Sequence, residues 1–158
     1  VESRSPAAVE GLGLLPVECA FEKEKVLANP TGTAPGFGGV PAAGYEIHHG
    51  RVRRFGAEPL FLTDTGEEEG CRAGAVLGTC WHGVLECDGF RRAVLAWVAE
   101  AAGRAWAPGS RPFAEVREAR LDTLGDLVER YLDTHALASL IERGPTPGLP
   151  CHPPGDRW

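Results

Sequence analysis

Every helical signal in this chain lies after Asp88, and every strand signal lies before it. Phe90, Val94, Trp97, Val98 and Ala101 recur at helical spacing behind Asp88, a good N-cap, which predicts a helix to about Ala102. Ser110 and Pro112 open a second helix. Its apolar stripe runs through Phe113, Val116, Leu121, Leu124, Val128, Tyr131, Leu132 and Leu140, with Gly125 as a weak point and Gly144 as the stop. Upstream, strands are expected near Lys25–Ala28, in "GYEIHHGRVR", in "EPLFLT" and in "GAVLGTCWHG", which runs out at Gly83. Strands first and helices afterwards do not make the βαβ alternation that closes a doubly wound sheet. The order suits half of an α/β or α+β domain.

The 158 residues are enough for one domain with a real core. A net charge of -6 and the lack of a basic stripe argue against a nucleic-acid partner. No apolar run approaches the ~20 residues that span a bilayer. The opening "VESRSPAAVEG" also lacks the basic-then-apolar pattern of a signal peptide, so the expected location is the cytoplasm. Five irregularly spaced cysteines read as reduced thiols, not as a disulfide framework. The absence of any methionine and the polar opening read as a fragment. "PGFGGVPA" is expected to be a flexible loop and "DTGEEEG" a solvated acidic turn. A partial domain over residues 1–144 and a Pro-rich, disordered tail over 145–158 complete the expected layout.

The chemistry centres on "GTCWHG", Gly78 to Gly83. His82 ends a strand beside a glycine, and α/β enzymes collect their sites at the C-terminal ends of strands. Such a histidine can serve as a base for a Cys or Ser, or it can be a hydrogen-bonded core residue. Cys80 is awkward as its nucleophile, because strand spacing separates the two backbones by roughly 6.5–7 Å. Cys80 also lacks the sharp turn and helix N-terminus that lower a thiol pKa, and it reads as a small buried hydrophobe. Zinc held by Cys80, His82, Cys87 and His48 or His49 would use the right ligand types, but no C-x₂₋₄-C pair is present. No metal is therefore expected. In "GYEIHHG", Tyr45, Ile47 and His49 alternate with Glu46, His48 and Gly50, which suits a strand bordering a site or an edge strand with solvated polar groups. No phosphate loop or dinucleotide fingerprint occurs.

Three blocks, "GLGLLPVECAFEKEKVL", "GYEIHHGRV" and "GTCWHGVLECDGFRRAVL", occur in this order and spacing, followed by "FAEVREARLDTLGDLVERYLD" and "LIERG". Together they resemble the C-terminal half of the cobalamin-type class I glutamine amidotransferase domain of the adenosylcobyric acid synthases, from about Gly11 to Gly144. The resemblance implies an α/β, flavodoxin-like half-domain followed by C-terminal helices. It also implies a cysteine nucleophile that attacks glutamine, with His82 as its base and then as the acid for departing ammonia. Tyr45, Glu46, His48 and His49 would bind substrate or line the site. The family's cysteine lies in a Cys-Gly-Gly turn upstream of "GLGLLP", and none of Cys19, Cys71, Cys80, Cys87 or Cys151 matches it. Val84 stands where ordinary class I triads carry their acid, two residues after the histidine.

On this reading the chain alone is inactive and binds no cofactor. The parent reaction uses ATP, Mg and glutamine, with a separate N-terminal ATP-dependent synthetase domain as partner and a corrinoid as substrate. The alternatives are another cobalamin-type amidotransferase (a cobyrinate diamide synthase or the cell-wall isoglutaminyl type) or a non-catalytic binding module of the same fold.

Overall fold

The computed structural model describes residues 8–150. The chain divides into two compact units, one ending at Phe113 and the other starting at Ala114. The last eight residues of the Pro-rich tail, expected to be disordered, lie outside the described residues.

In the first unit, β1 (Val17–Ala28) pairs antiparallel with β4 (Glu46–Arg54), from Val17 opposite Arg54 to Ala28 opposite Glu46. The register shifts between Phe21 and Val26, which is the signature of a bulge. β1 reaches much further upstream than the expected Lys25–Ala28. Its "EKEK" stretch hides it from an apolar count, but charge is tolerated on a strand with a single partner.

A second sheet has the order β3-β2-β5-β6, built from β2 (Thr31–Ala34), β3 (Val40–Ala43), β5 (Phe61–Thr63) and β6 (Glu68–Glu69). β7 (Cys71–Ala73) and β8 (Val76–Gly78) form a hairpin. All the strand pairs among the described residues are antiparallel. The segment expected as a flexible loop, "PGFGGVPA", instead holds a 3-10 turn at Pro35–Phe37 and most of β3, and its Phe37 is buried.

α1 (Asp88–Ala101) closes the unit. Its N-cap is Cys87, not Asp88 as the sequence suggested. Asp88 sits in the first turn, where its carboxylate accepts from Phe113 N–H at 3.0 Å and pairs with Arg91. The core is Ala34, Phe37, Ala42, Leu60, Phe61, Trp81, Val84 and Phe90, with Val94 and Trp97 of α1 packed against it. Aromatic edges interlock there: Phe37 meets Phe90 at 5.4 Å and Trp97 at 5.8 Å, both T-shaped.

The expected second helix is two helices, α2 (Phe113–Tyr131) and α3 (Thr134–Arg143). The break follows from Asp133, whose side chain accepts from Ala136 N–H at 2.9 Å and caps α3. α2 runs through Gly125 without interruption, and Gly144 ends α3 as expected. No residue of α2 or α3 is buried, and Leu121, Leu124, Val128, Tyr131, Leu132 and Leu140 of the apolar stripe are all exposed. Among the described residues no helix is long and apolar enough to cross a membrane.

Candidate active site

The strand expected to carry His82 stops at Gly78, five residues before the expected end at Gly83. His82 sits on a link between β8 and α1, and three contacts fix that link. First, Trp81 is 3 % exposed and its ring stacks on the fully buried Phe61 at 4.6 Å and 6°. Second, Tyr45 and His82 exchange both backbone hydrogen bonds, Tyr45 N–H to His82 C=O at 3.0 Å and His82 N–H to Tyr45 C=O at 2.8 Å. Third, the Glu69 carboxylate accepts from Cys80 N–H at 2.8 Å and from the Thr79 hydroxyl at 2.7 Å. Thr79 Oγ1 in turn accepts from Trp81 N–H at 3.0 Å.

Two glycines make this approach possible. A Cβ on Gly44 would lie 2.8 Å from His82 O and 2.9 Å from Trp81 Cβ. Gly83 turns the chain away after His82 with φ 72°, a conformation that L side chains rarely adopt. The result is an anchored indole followed at once by an exposed imidazole.

The four expected site residues of "YEIHH" do not converge on His82. Only Tyr45 meets it, with ring centroids 5.0 Å apart and planes at 15°. Glu46 and His48 pair with each other, Nε2 to Oε1 at 3.2 Å, while His48 Nδ1 donates to Gly50 C=O at 2.8 Å. That carbonyl can only accept, so Nδ1 carries a proton. His49 bonds Glu22 C=O at 3.0 Å through its own Nδ1, away from both groups. Period-two alternation sends adjacent residues to opposite faces, so Glu46 and His48 share a face opposite His49.

The Glu46–His48 pair lies on the side of Glu69 and Cys80. Burial, opposed by the hydrogen bonds from Cys80 and Thr79, raises the Glu69 carboxyl above its ordinary value, and Glu46 adds to the rise. Burial, with Glu69, Glu46 and Cys19 nearby, pushes the Cys80 thiol up to about 11. A thiol so raised is a poor nucleophile at neutral pH; Cys80 is half-buried and outside the core cluster, not the buried hydrophobe expected. Cys87 is structural, its sulfur exchanging hydrogen bonds with Ala43 N–H at 3.2 Å and C=O at 3.3 Å. Val84, at the place of the usual triad acid, is buried in the core. No group of three His, Cys, Asp or Glu among the described residues is placed to hold a metal ion.

Residues 1–90 match the model of the CobB/CobQ-like glutamine amidotransferase domain. This chain belongs to the CobB/CobQ-like glutamine amidotransferase family. The mixed α/β chain fits as part of the family's flavodoxin-like class I amidotransferase domain, and the matched span includes Tyr45, Glu69 and His82. The chain is 53 % identical over 156 residues to a protein of Streptomyces avermitilis named cobyric acid synthase, covering 98 % of this chain and 29 % of that relative. It is 51 % identical over 156 residues to the protein of the same name from Streptomyces coelicolor, with the same coverage. It is 53 % identical over 146 residues to the one from Rhodococcus jostii, covering 90 % and 28 %. The chain thus spans under a third of the length of these relatives.

Sequence reasoning missed Glu69, which it placed in a solvated acidic turn with its neighbours. Glu68 is exposed and pairs with Arg54, as a surface charge does. Glu69 differs from it only by facing inward, and the two-residue strand β6 that turns it leaves no periodic pattern to read.

Proposed function

We propose that this chain supplies the histidine of a Cys–His glutaminase site in a cobyric acid synthase that amidates corrin-ring carboxylates in cobalamin biosynthesis. The observation that carries this reading is His82 itself. Its imidazole is exposed and stacked on Tyr45, and the link that carries it is tied down by backbone and Glu69 hydrogen bonds, within a chain half identical to proteins named cobyric acid synthase. An exposed imidazole on a rigid link can exchange protons with a substrate that packs against it.

The cysteine comes from a segment outside these 158 residues. His82 takes the thiol proton, and the thiolate attacks the side-chain carboxamide carbon of glutamine. His82 then gives the proton to the nitrogen as the C–N bond breaks, releasing ammonia and leaving a glutamyl thioester. His82 takes a proton from water as hydroxide attacks the thioester, then returns it to the departing thiolate, so that glutamate is released and the free thiol restored. The ammonia displaces the activating group from a corrin carboxylate and forms the amide. ATP and Mg belong to the separate synthetase domain that activates the carboxylate, and the present chain has no phosphate loop for them. The names of the relatives favour cobyric acid synthase over a diamide synthase or an isoglutaminyl enzyme.

Glutamate release from glutamine tests the division of labour. The purified 158-residue chain is expected to release none above background, and the parent polypeptide carrying the cysteine is expected to release it readily. Turnover by the chain alone would overturn the reading.

A further inference from the structure

We infer that Glu69 is a positioning residue for His82, acting as a clamp on the link that presents the imidazole. The inference rests on the proposed glutaminase role of His82. Residues 79 to 81 lie between the end of β8 and His82 and belong to no strand or helix. Their backbone, at Cys80, and the Thr79 hydroxyl are instead hydrogen-bonded to one carboxylate. Glu69 Oε1 accepts from Cys80 N–H at 2.8 Å and Oε2 accepts from Thr79 Oγ1 at 2.7 Å. Thr79 Oγ1 passes the constraint on by accepting from Trp81 N–H at 3.0 Å. Both carboxylate oxygens are therefore used on consecutive residues, and the chain of bonds ends one residue before His82.

The clamp is itself rigid. Glu69 sits opposite Phe61 in the β5–β6 pair, and its carbonyl accepts from Leu60 N–H at 3.0 Å. Leu60 and Phe61 are core residues, and Phe61 also carries the Trp81 ring. The same strand pair thus holds the link twice, through the indole of Trp81 and through the carboxylate of Glu69. The partly buried setting strengthens the two hydrogen bonds relative to their worth in water. Glu69 touches neither His82 nor any reacting atom, so it acts through Cys80 and Trp81. Small displacements at a catalytic group cost rate more than binding, so a loosened clamp shows in kcat and spares KM.

The test uses the parent enzyme with glutamine as substrate and four variants, His82→Ala, Glu69→Ala, Glu69→Gln and Thr79→Ala, with folding checked by thermal melting. Glu69→Ala is expected to lower kcat roughly ten- to a hundredfold with KM within about threefold, by the usual cost of mispositioning. Glu69→Gln keeps an acceptor for Cys80 N–H and is expected to restore most of the rate. Thr79→Ala removes only the hydroxyl arm and is expected to fall between them, which keeps the inference open to refutation if Glu69→Ala does not fold. Wild-type kcat in Glu69→Ala or Thr79→Ala, with His82→Ala inactive, would overturn the clamp and leave the glutaminase reading standing. Full activity in His82→Ala would overturn the glutaminase reading itself.

Discussion

The Tyr45 and His82 rings stack 5.0 Å apart at 15°, and the same two residues exchange both backbone hydrogen bonds. Backbone and side chain therefore fix the imidazole plane together. Stacked aromatic pairs contribute about 0.5–1.5 kcal/mol beyond their buried area. Tyr45→Phe keeps the ring and is expected to leave the His82 Hε1 resonance close to its wild-type position, whereas Tyr45→Ala removes the ring current and shifts it. A His82 resonance unmoved by Tyr45→Ala would show that the two rings are not stacked in solution.

Gly44 lets the β3–β4 connection pass against Trp81 and His82. A methyl group there collides with His82 O and Trp81 Cβ, at 2.8 and 2.9 Å, and neither can retreat as a flexible side-chain tip could. Gly44→Ala is expected to cost about 1–3 kcal/mol, the usual range for overpacking, and to break the Tyr45–His82 bridge. Urea titration measures the first effect, and amide exchange at Tyr45 and His82 the second. Wild-type values for both would contradict the close approach.

Trp81→Ala removes the indole from its stack on Phe61 and opens the core beneath His82. The expected loss is about 3–5 kcal/mol, as for other aromatic deletions in cores, with Trp81→Phe losing less. Chemical denaturation of the three proteins gives the comparison.

The raised Cys80 thiol, at about 11, leaves about one molecule in a thousand as thiolate at pH 8. Iodoacetamide at that pH is expected to label the exposed Cys19 well before Cys80, as read by peptide mass spectrometry. Equal labelling of the two in the folded protein would contradict this placement.

Glu69 gives a prediction with a definite sign. Burial, the largest influence on it, raises the folded carboxyl above its ordinary 4.5. The folded state then holds the proton more tightly than the unfolded one. Its contribution to stability is full below the unfolded value and is lost as pH rises through the folded value. Glu69→Gln carries no such titration. The stability of wild type relative to Glu69→Gln is expected to fall as pH rises from about 4 to 7, and urea midpoints across that range measure it. A rise over the same interval would contradict the burial of Glu69.

What the sequence disclosed and what it hid follow from range of interaction. α1 was legible because five apolar residues on one face state its period within a single helix. β4 was legible for the same reason at period two. β6 and β7 are two and three residues long, too short for any period, and depend on partners elsewhere in the chain. His82 stood out only through the blocks around it, and no local pattern separates Glu69 from Glu68. The stack on Tyr45 joins residues 37 positions apart, a distance no spacing rule covers.

The most direct test of the account separates the two ways of supplying nitrogen. On the proposed reading, His82→Asn in the parent enzyme would remove the proton carrier of the glutaminase site and spare the carboxylate-activating site. Corrinoid amidation is measured with glutamine and, separately, with ammonium salt as the nitrogen donor. The account expects amidation with glutamine to be lost and amidation with ammonium to continue at the wild-type rate. Undiminished amidation from glutamine by the variant would contradict it.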